Sequence, residues 1–391
     1  MEHCDVAVIG AGAAGLMCAM AAGRRGRRVV VLEHLEHAGA KILISGGGRC
    51  NFTNLEARAE RFISNNPHFA KSALARFTPG DFLALVERHG IAWHEKTLGQ
   101  LFCDGSARAV VAMLLGECAD AGVQIRLGCA VGEVTRDSGF RIAIGHGALR
   151  AESLVLASGG LSIPKMGATG FSHALARQFG VATTPTRPGL VPLTFADEDL
   201  AMMRALAGVS LEVVAGCGRQ SFREAMLFTH RGLSGPAILQ ISSYWREGEE
   251  IVLDLLPGQD AAAWLLARKR ARPRAELRGV LAEMLPQRLG EALAARHMPG
   301  HVMQTIKNAE LMALAGVLKE WRLTPSGTEG YAKAEVTVGG VDTTGLSSRT
   351  MEARAVPGLF VVGEAVDVTG WLGGYNFQWA WASGWCAGQA A

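Results

Sequence analysis

Apolar residues recur along the chain in two rhythms. Asp5-Val-Ala-Val-Ile9 is a short β-branched apolar run, which predicts a strand buried on both faces. Leu16, Met17 and Ala19–Ala21 continue as a compact Ala-rich helix up to Gly23. Arg28-Val-Val-Val-Leu32 is a second buried strand. Helical spacing reappears over 67–90, broken at Pro79-Gly80, and over Ala107–Ala121, closed by Gly122. Gln100–Gly105 reads as a turn between them. Val123–Leu127 and Ala130–Val134 read as strands, and Phe140–Gly145 with Leu149–Ser153 as a hairpin. Leu154-Val-Leu-Ala157 is again a buried strand, ending in Gly159-Gly160, and a helix follows over 170–180.

The pattern then changes. Leu190–Phe195, Val209–Val214, Glu224–Thr229 and Ile251–Leu256 are short alternating segments, the signature of a small antiparallel sheet or barrel. Ser234 stands as an N-cap before Pro236. From Ala261 to about Arg322 the spacing is helical, punctuated by Pro273, Pro286 and Pro299. Buried-strand runs return at Ala334–Val341 and Gly358–Gly363, and a last helix spans Trp379–Ala390. The fold class is therefore α/β, with one sheet built from both ends of the chain around an insertion. The expected divisions are 1–186, an inserted 187–330 (sheet part 187–256, helical part 257–330) and 331–391.

The first strand runs into Gly10-Ala-Gly12-Ala-Ala-Gly15, and Glu33 lies 18 residues past Gly15. Strand, Gly-x-Gly-x-x-Gly, helix, strand and acid within about 30 residues is a dinucleotide site. Gly10 permits the tight turn, Gly12 lets a pyrophosphate approach the backbone, and Gly15 lets the helix pack on the sheet. The helix N-terminus supplies free N–H groups to the phosphates. Glu33 can accept from a ribose 2′-OH and would repel a 2′-phosphate, so FAD or NAD fits and NADP does not. Two further glycine loops stand out. Lys41 precedes Gly46-Gly47-Gly48-Arg49-Cys50-Asn51, and Gly373-Gly374-Tyr-Asn376-Phe377 opens the last helix. The first suits a planar or anionic ligand, or else is a flexible surface loop. The second presents a helix N-terminus to an anion.

Composition narrows the class without naming the chemistry. The chain has 391 residues, 49% hydrophobic and 19% charged, a globular composition large enough for two or three domains. Net charge is +3, too small to argue by itself for nucleic acid or against it. The eight cysteines fall in no CxxC spacing, which argues against a zinc site and a redox dithiol and for a reducing cytosol. No run reaches 18 apolar residues, so no membrane span is expected, and because Asp5 precedes the N-terminal apolar run and that run completes a nucleotide fold, no signal peptide is expected either. The basic cluster Arg268–Arg278 reads as a solvated helix face, with an RNA patch as the alternative.

These motifs, with Thr229-His230-Arg-Gly-Leu-Ser-Gly-Pro236, resemble the BaiN/RdsA (HI0933-like) family of FAD-dependent flavoproteins over essentially the whole chain. The resemblance implies a cytoplasmic oxidoreductase with a Rossmann-like FAD domain and an inserted domain, part β-barrel-like and part helical. It implies that Gly10, Gly12, Ala14, Gly15 and Glu33 hold the ADP half, with Val131 at the adenine. Lys41, Gly46, Gly47, Gly48, Arg49, Cys50 and Asn51 would wrap the flavin and pyrophosphate. Gly159 would lie beside the cofactor. Gly363, Glu364 and Asp367 would meet the ribityl chain, and Gly374, Asn376 and Phe377 the pyrimidine edge.

Family activities include reduction of a carbon–carbon double bond in oxo-bile acids, reduction of ribosomal RNA uridine to dihydrouridine, and oxidation of aminoacetone with release of hydrogen peroxide. The leading expectation is a reductase of an activated double bond, acting on ribosomal RNA or an enone-like small molecule. Cys50 and His230 are its candidate general acids. With no second Gly-x-Gly-x-x-Gly after a strand, an NADH or NADPH donor would dock directly on the flavin. The alternatives are an aminoacetone-type amine oxidase, with Trp371, Tyr375, Trp379 and Trp381 as an aromatic cage, and a non-enzymatic flavin redox sensor. No metal and no membrane partner is expected.

Overall fold

A computed structural model describes residues 2–145 and 147–391. The chain forms two compact units, Met1–Arg187 with Val336–Ala391, and Pro188–Glu335. The units divide at 187/188 and 335/336, against the expected divisions at 186/187 and 330/331.

The first unit is built on a seven-stranded sheet. Its parallel centre runs Gln124–Arg126, Val29–Leu32, Glu2–Ile9, Gly147–Leu156. Val6, Ala7 and Val8 have no exposed surface, as expected of a parallel strand covered on both faces. The hairpin strand and the buried strand expected separately at 149–157 are one strand of ten residues. Its first half pairs antiparallel with Phe140–Ile144, and its second half pairs parallel with Leu359–Val361. The polar residues Arg150 and Glu152 broke the apolar run in the sequence although the backbone ladder continues through them.

Helix Ala13–Gly23 is buried along nearly its whole length. It packs against the last helix, Tyr375–Gly388, at close range. A Cβ on Gly384 would lie 2.3 Å from the Ala14 carbonyl oxygen, and one on Gly388 would lie 2.5 Å from that of Cys18. Glycine at both places is what allows the two backbones to meet. Beside this pair lies a three-stranded antiparallel sheet of Asn51–Asn54, Gln100–Cys103 and Trp93–Glu95. The expected turn at 100–105 is thus largely a strand. Leu101 and Cys103 are fully buried in it, and Gly105 alone had suggested a turn.

The second unit carries a seven-stranded antiparallel sheet. Its order is Trp321–Leu323, Ile251–Asp254, Ser210–Cys217, Gln220–Phe228, Gly232–Ser234, Leu193–Thr194, Gly327–Thr328. The two outermost strands are neighbours in sequence, joined by Thr324–Ser326. Four Cα steps reach at most about 14 Å, whereas six strand spacings laid flat would span about 29 Å. The sheet must curl to bring its edges that close, which is the barrel-like shape. The helical part consists of Ala261–Ala271, Leu277–Leu281, Gln287–His297 and Asn308–Lys319, with Trp321–Leu323 returning to the sheet. The N-cap of helix Pro236–Ser242 is Gly235 (φ 87°, ψ 164°) and not Ser234, which pairs with Leu227 in the sheet. That backbone geometry is open to glycine and closed to serine.

Among the described residues, no helix is long and apolar enough to cross a membrane. No group of three His, Cys, Asp or Glu among them could hold a metal ion.

Candidate functional site

The site grows from the carboxyl end of Glu2–Ile9. Gly10 turns out of the strand at φ 109°, and a Cβ there would strike the Ala157 carbonyl oxygen at 2.5 Å. A Cβ on Gly15 would lie 1.9 Å from the Gly10 carbonyl oxygen. Gly12 is different: it caps the helix with extended backbone, and a Cβ there meets nothing within 4 Å. Its requirement for glycine therefore comes from outside the protein. The first helical hydrogen bond runs from the Leu16 N–H to the Gly12 carbonyl at 3.0 Å. The N–H groups of Ala13, Ala14 and Gly15 thus point out of the helix without intrahelical partners. The first turn holds no acidic side chain to compete for them.

Glu33 braces this turn. One carboxylate oxygen accepts from the Ala11 N–H at 2.8 Å and the other from the Leu35 N–H at 3.0 Å. His34 Nδ1 lies 2.9 Å away. The oxygen bonded to Ala11 retains a lone pair for a ribose hydroxyl. Chain 128–131 runs alongside, with the Cys129 N–H bonded to the Glu33 carbonyl at 2.7 Å, which sets Val131 near this end. Gly363 (φ 64°) presses on Ala14, a Cβ there lying 2.8 Å from that of Ala14. Its N–H donates to Ser383 Oγ at 3.0 Å. Gly159 (φ 78°) opens onto empty space.

A second knot lies at Glu364. Its Oε2 takes the Lys41 ammonium at 2.6 Å; its Oε1 accepts from Ser162 Oγ at 2.7 Å and from the Thr337 N–H at 2.9 Å. Lys41 also donates to Ser162 Oγ at 2.6 Å. Burial alone would raise the Glu364 pKa. The Lys41 charge and these hydrogen bonds outweigh it and hold the carboxyl below its ordinary value. Ser162, which contributes a hydroxyl, and Thr337, which contributes a backbone N–H, were missed in the sequence because single residues of this kind have no spacing signature. Asp367 is nearly buried and bonded to the Asn65 N–H at 3.0 Å. Burial pushes its pKa up, with Asp342 adding to the effect.

The third part joins the two other glycine loops. Gly46, Gly47 and Gly48 all have positive φ (56°, 67° and 85°), and a Cβ on Gly47 would meet nothing. Arg49 is exposed. With its amide oriented to satisfy both ends, Asn51 donates to the carbonyls of Leu101 and Thr53, both at 3.1 Å, and accepts from the Gly374 N–H at 3.3 Å. Asn54 donates to the Gly373 carbonyl at 2.9 Å, and Thr53 Oγ1 to Gln378 Oε1 at 2.6 Å. The 51–54 strand and the N-terminus of the last helix are thus one assembly.

Several expected contacts take other roles. Both ends of the Asn376 amide are spent on the Gly370–Trp371 backbone, at 2.8 to 3.2 Å, so it shapes the loop. Phe377 stacks on Trp381 at 5.6 Å, and Trp381 on Phe82 at 4.3 Å. Trp379 and Trp381 are buried, and the Arg61 guanidinium sits 5.4 Å from the Trp371 ring and 5.9 Å from the Tyr375 ring. The aromatic group is core and an arginine perch, not an open cage for an amine. Cys50 has no exposed surface, and burial pushes its thiol up to about 12. His230 is exposed on the second unit, in the turn before Gly232–Ser234. His94 Nδ1 lies 2.6 Å from Asp104 Oδ1.

Open glycine cradles at Gly12, Gly47 and Gly159, an unpartnered helix N-terminus and an acid at Glu33 fit a dinucleotide bearing a planar ring. The HI0933-like protein Rossmann domain matches residues 4–390. The chain belongs to the HI0933-like family. This HI0933-like protein is a flavoprotein oxidoreductase with FAD as its cofactor. It is 52% identical to the ribosomal RNA dihydrouridine synthase of Escherichia coli (strain K12), over all of this chain and 98% of that protein. It is 33% identical to the 3-dehydro-bile acid delta(4,6)-reductase of Clostridium scindens, over 99% of this chain and 98% of that one. Its fold is shared with an open flavocytochrome c3 fumarate reductase (TM-score 0.51, 18% identity, 99% of this chain and 78% of that one).

Proposed function

We propose that this protein reduces the C5=C6 bond of a uridine in ribosomal RNA to give dihydrouridine. The observation that carries this reading is the 52% identity, along the whole chain, to an enzyme of that name. The 33% identity to a bile-acid reductase supports reduction of a conjugated double bond as the shared chemistry. FAD, when bound, supplies the hydride, and NADH or NADPH is the proposed source of its electrons.

The chain's own residues bind, orient and screen. The N–H groups of 13–15 and the positive end of their helix hold the pyrophosphate. Glu33 holds the adenosine ribose. Lys41, fixed by Glu364 and Ser162, keeps a positive charge beside the ribityl end. Gly46–Gly48 leave a face without side chains, against which a flat base can lie. The second helix N-terminus, at Gly374, lies where negative charge on the pyrimidine edge would be stabilised.

Reduction adds one hydride and one proton across C5=C6, so a proton donor is also required. His230 is the proposed donor; Cys50 is disfavoured by its burial and raised pKa. The test is anaerobic incubation of the holoprotein with NADPH or NADH and unmodified ribosomal RNA, followed by mass analysis of its nucleosides. The expected result is one uridine gaining two hydrogens. Oxidation of the nicotinamide with no dihydrouridine in the RNA would refute the substrate. His230→Ala with wild-type turnover would remove it as the donor.

A further inference from the structure

The positive charge of this chain is concentrated in one place. Residues 261–310 carry nine Lys and Arg against four Glu, a net +5, whereas the whole chain is +3. Everything outside that segment is therefore net −2. Part of the charge is consumed locally. Arg268 and Arg272 pair with Glu283, Arg278 with Glu276, and Arg296 with Asp199. Arg288 donates to the carbonyls of Ala205 and Ala207.

Four cations remain: Lys269, Lys307 and two arginines, Arg270 and Arg274. Both arginines are exposed, and among the described residues neither has an ion-pair partner. Arg270 and Lys269 lie in the last turn of helix Ala261–Ala271 and line a cavity of about 350 Å³ with Leu266, Pro273, Gln304 and Asn308. The cavity wall is held firmly. The Gln304 N–H bonds the Pro273 carbonyl at 2.8 Å, the Met303 N–H that of Ala275 at 2.9 Å, and the Leu277 N–H that of His301 at 3.0 Å. The Lys269 ammonium reaches the Ile306 carbonyl at 2.5 Å and Asn308 Oδ1 at 2.9 Å, which leaves one of its three protons for a ligand. On the same helix the Trp264 ring lies 5.5 Å from the Arg268 guanidinium, a partly exposed aromatic face within a basic surround.

We propose that this surface docks the RNA substrate, with Lys269, Arg270 and Arg274 on backbone phosphates. Three cations, two of them lining a cavity that also presents Gln304 and Asn308, suit a nucleic acid chain, since its phosphates give the affinity. The inference rests on the RNA-modifying reading above, but its test is separate. Arg270→Ala/Arg274→Ala removes two cations that hold nothing else in the fold.

The assay is fluorescence anisotropy of a labelled ribosomal RNA fragment with holoprotein from 50 to 200 mM KCl. Loss of two phosphate contacts lowers the magnitude of the log Kd–log salt slope by roughly 1.4 to 1.8. With the extrapolated 1 M affinity unchanged, binding at 0.1 M salt weakens roughly 25- to 60-fold. Unchanged FAD content and melting temperature will show that the variant is folded. Wild-type slope and Kd in the variant would overturn the proposal. So would a binding loss seen on phosphatidylglycerol vesicles but not on RNA, which would make the patch a membrane contact. Dihydrouridine formation by the wild-type protein tests the functional reading on its own: its absence refutes that reading while the slope still decides the patch.

Discussion

Glu364→Gln isolates the charge at the centre of the site. The amide retains an acceptor for Ser162 and Thr337, but its NH₂ group faces the Lys41 ammonium in place of Oε2. One charge-assisted bond is lost, worth about 1.5–3 kcal/mol. Breaking a fully buried pair costs about 3–5 kcal/mol. The Lys41 and Glu364 side chains retain 33% and 20% of their exposure, so solvent screens part of this, and about 2 kcal/mol is expected. For a unit of this size that lowers the melting temperature by roughly 4–8 °C.

The assay is thermal unfolding of holoprotein at a fixed FAD concentration, repeated across pH. The folded pKa of Glu364 lies below its ordinary 4.5, so its contribution is fully present above that pH. It is lost as pH falls through the folded value. The wild-type and Glu364→Gln curves should therefore separate at neutral pH and converge in acid. Lys41→Met should lose much of its own effect when combined with Glu364→Gln, with a coupling of about 1–2 kcal/mol. A melting temperature within a degree of wild type at pH 7, or additive single effects, would refute the reasoning.

Gly12→Ala should leave the apoprotein's melting temperature unchanged, because the added methyl meets no protein atom, while FAD affinity drops by about 1–3 kcal/mol in a fluorescence titration. Gly15→Ala should lower both, since its methyl collides with the Gly10 carbonyl. Cys129 is the one half-buried cysteine of eight, so a thiol reagent at pH 8 should label one site rapidly and the other seven at the rate of unfolding. Cys50→Ala should cost about 1 kcal/mol in denaturant unfolding and leave turnover within twofold of wild type. A tenfold loss of turnover with FAD still bound would restore Cys50 as a proton donor.

The parts legible in the sequence were those whose physics is local. Gly10, Gly12, Gly15 and Glu33 show themselves because strand, turn and helix are contiguous there, each glycine doing a separate job over a short reach. The loops at 46–51 and 373–377 were visible as glycine clusters. That they meet, through Asn51 on Gly374 and Asn54 on Gly373, was not, because more than 300 residues separate them. Ser162, 202 residues from Glu364, and Thr337, 27 residues from it, stayed hidden because a single Ser or Thr carries no spacing signature. Asn376 and Phe377 misled for another reason. A polar and an aromatic residue beside a cofactor loop look like contacts, yet one closes the loop on itself and the other fills the stack above Trp381. The 261–322 region read as one helical run because Leu265, Leu289 and Leu311 keep helical spacing within each piece. Pro273, Pro286 and Pro299 mark the breaks between the pieces, but apolar spacing alone does not fix where each helix stops.

The FAD-binding unit is discontinuous, and this bears on its synthesis. Leu359–Val361 and the helix that meets Ala14 and Cys18 are made last, after the entire inserted unit. At ordinary translation rates the 56 residues of 336–391 take roughly three to eleven seconds to add. During that interval the inserted unit can fold on the ribosome, while the nascent flavin cleft has neither its Glu364 floor nor its Gly374 rim. Flavin capture is therefore a late event in the life of the polypeptide. A cell short of FAD would accumulate chains whose insert is native and whose nucleotide cleft is still open to proteases.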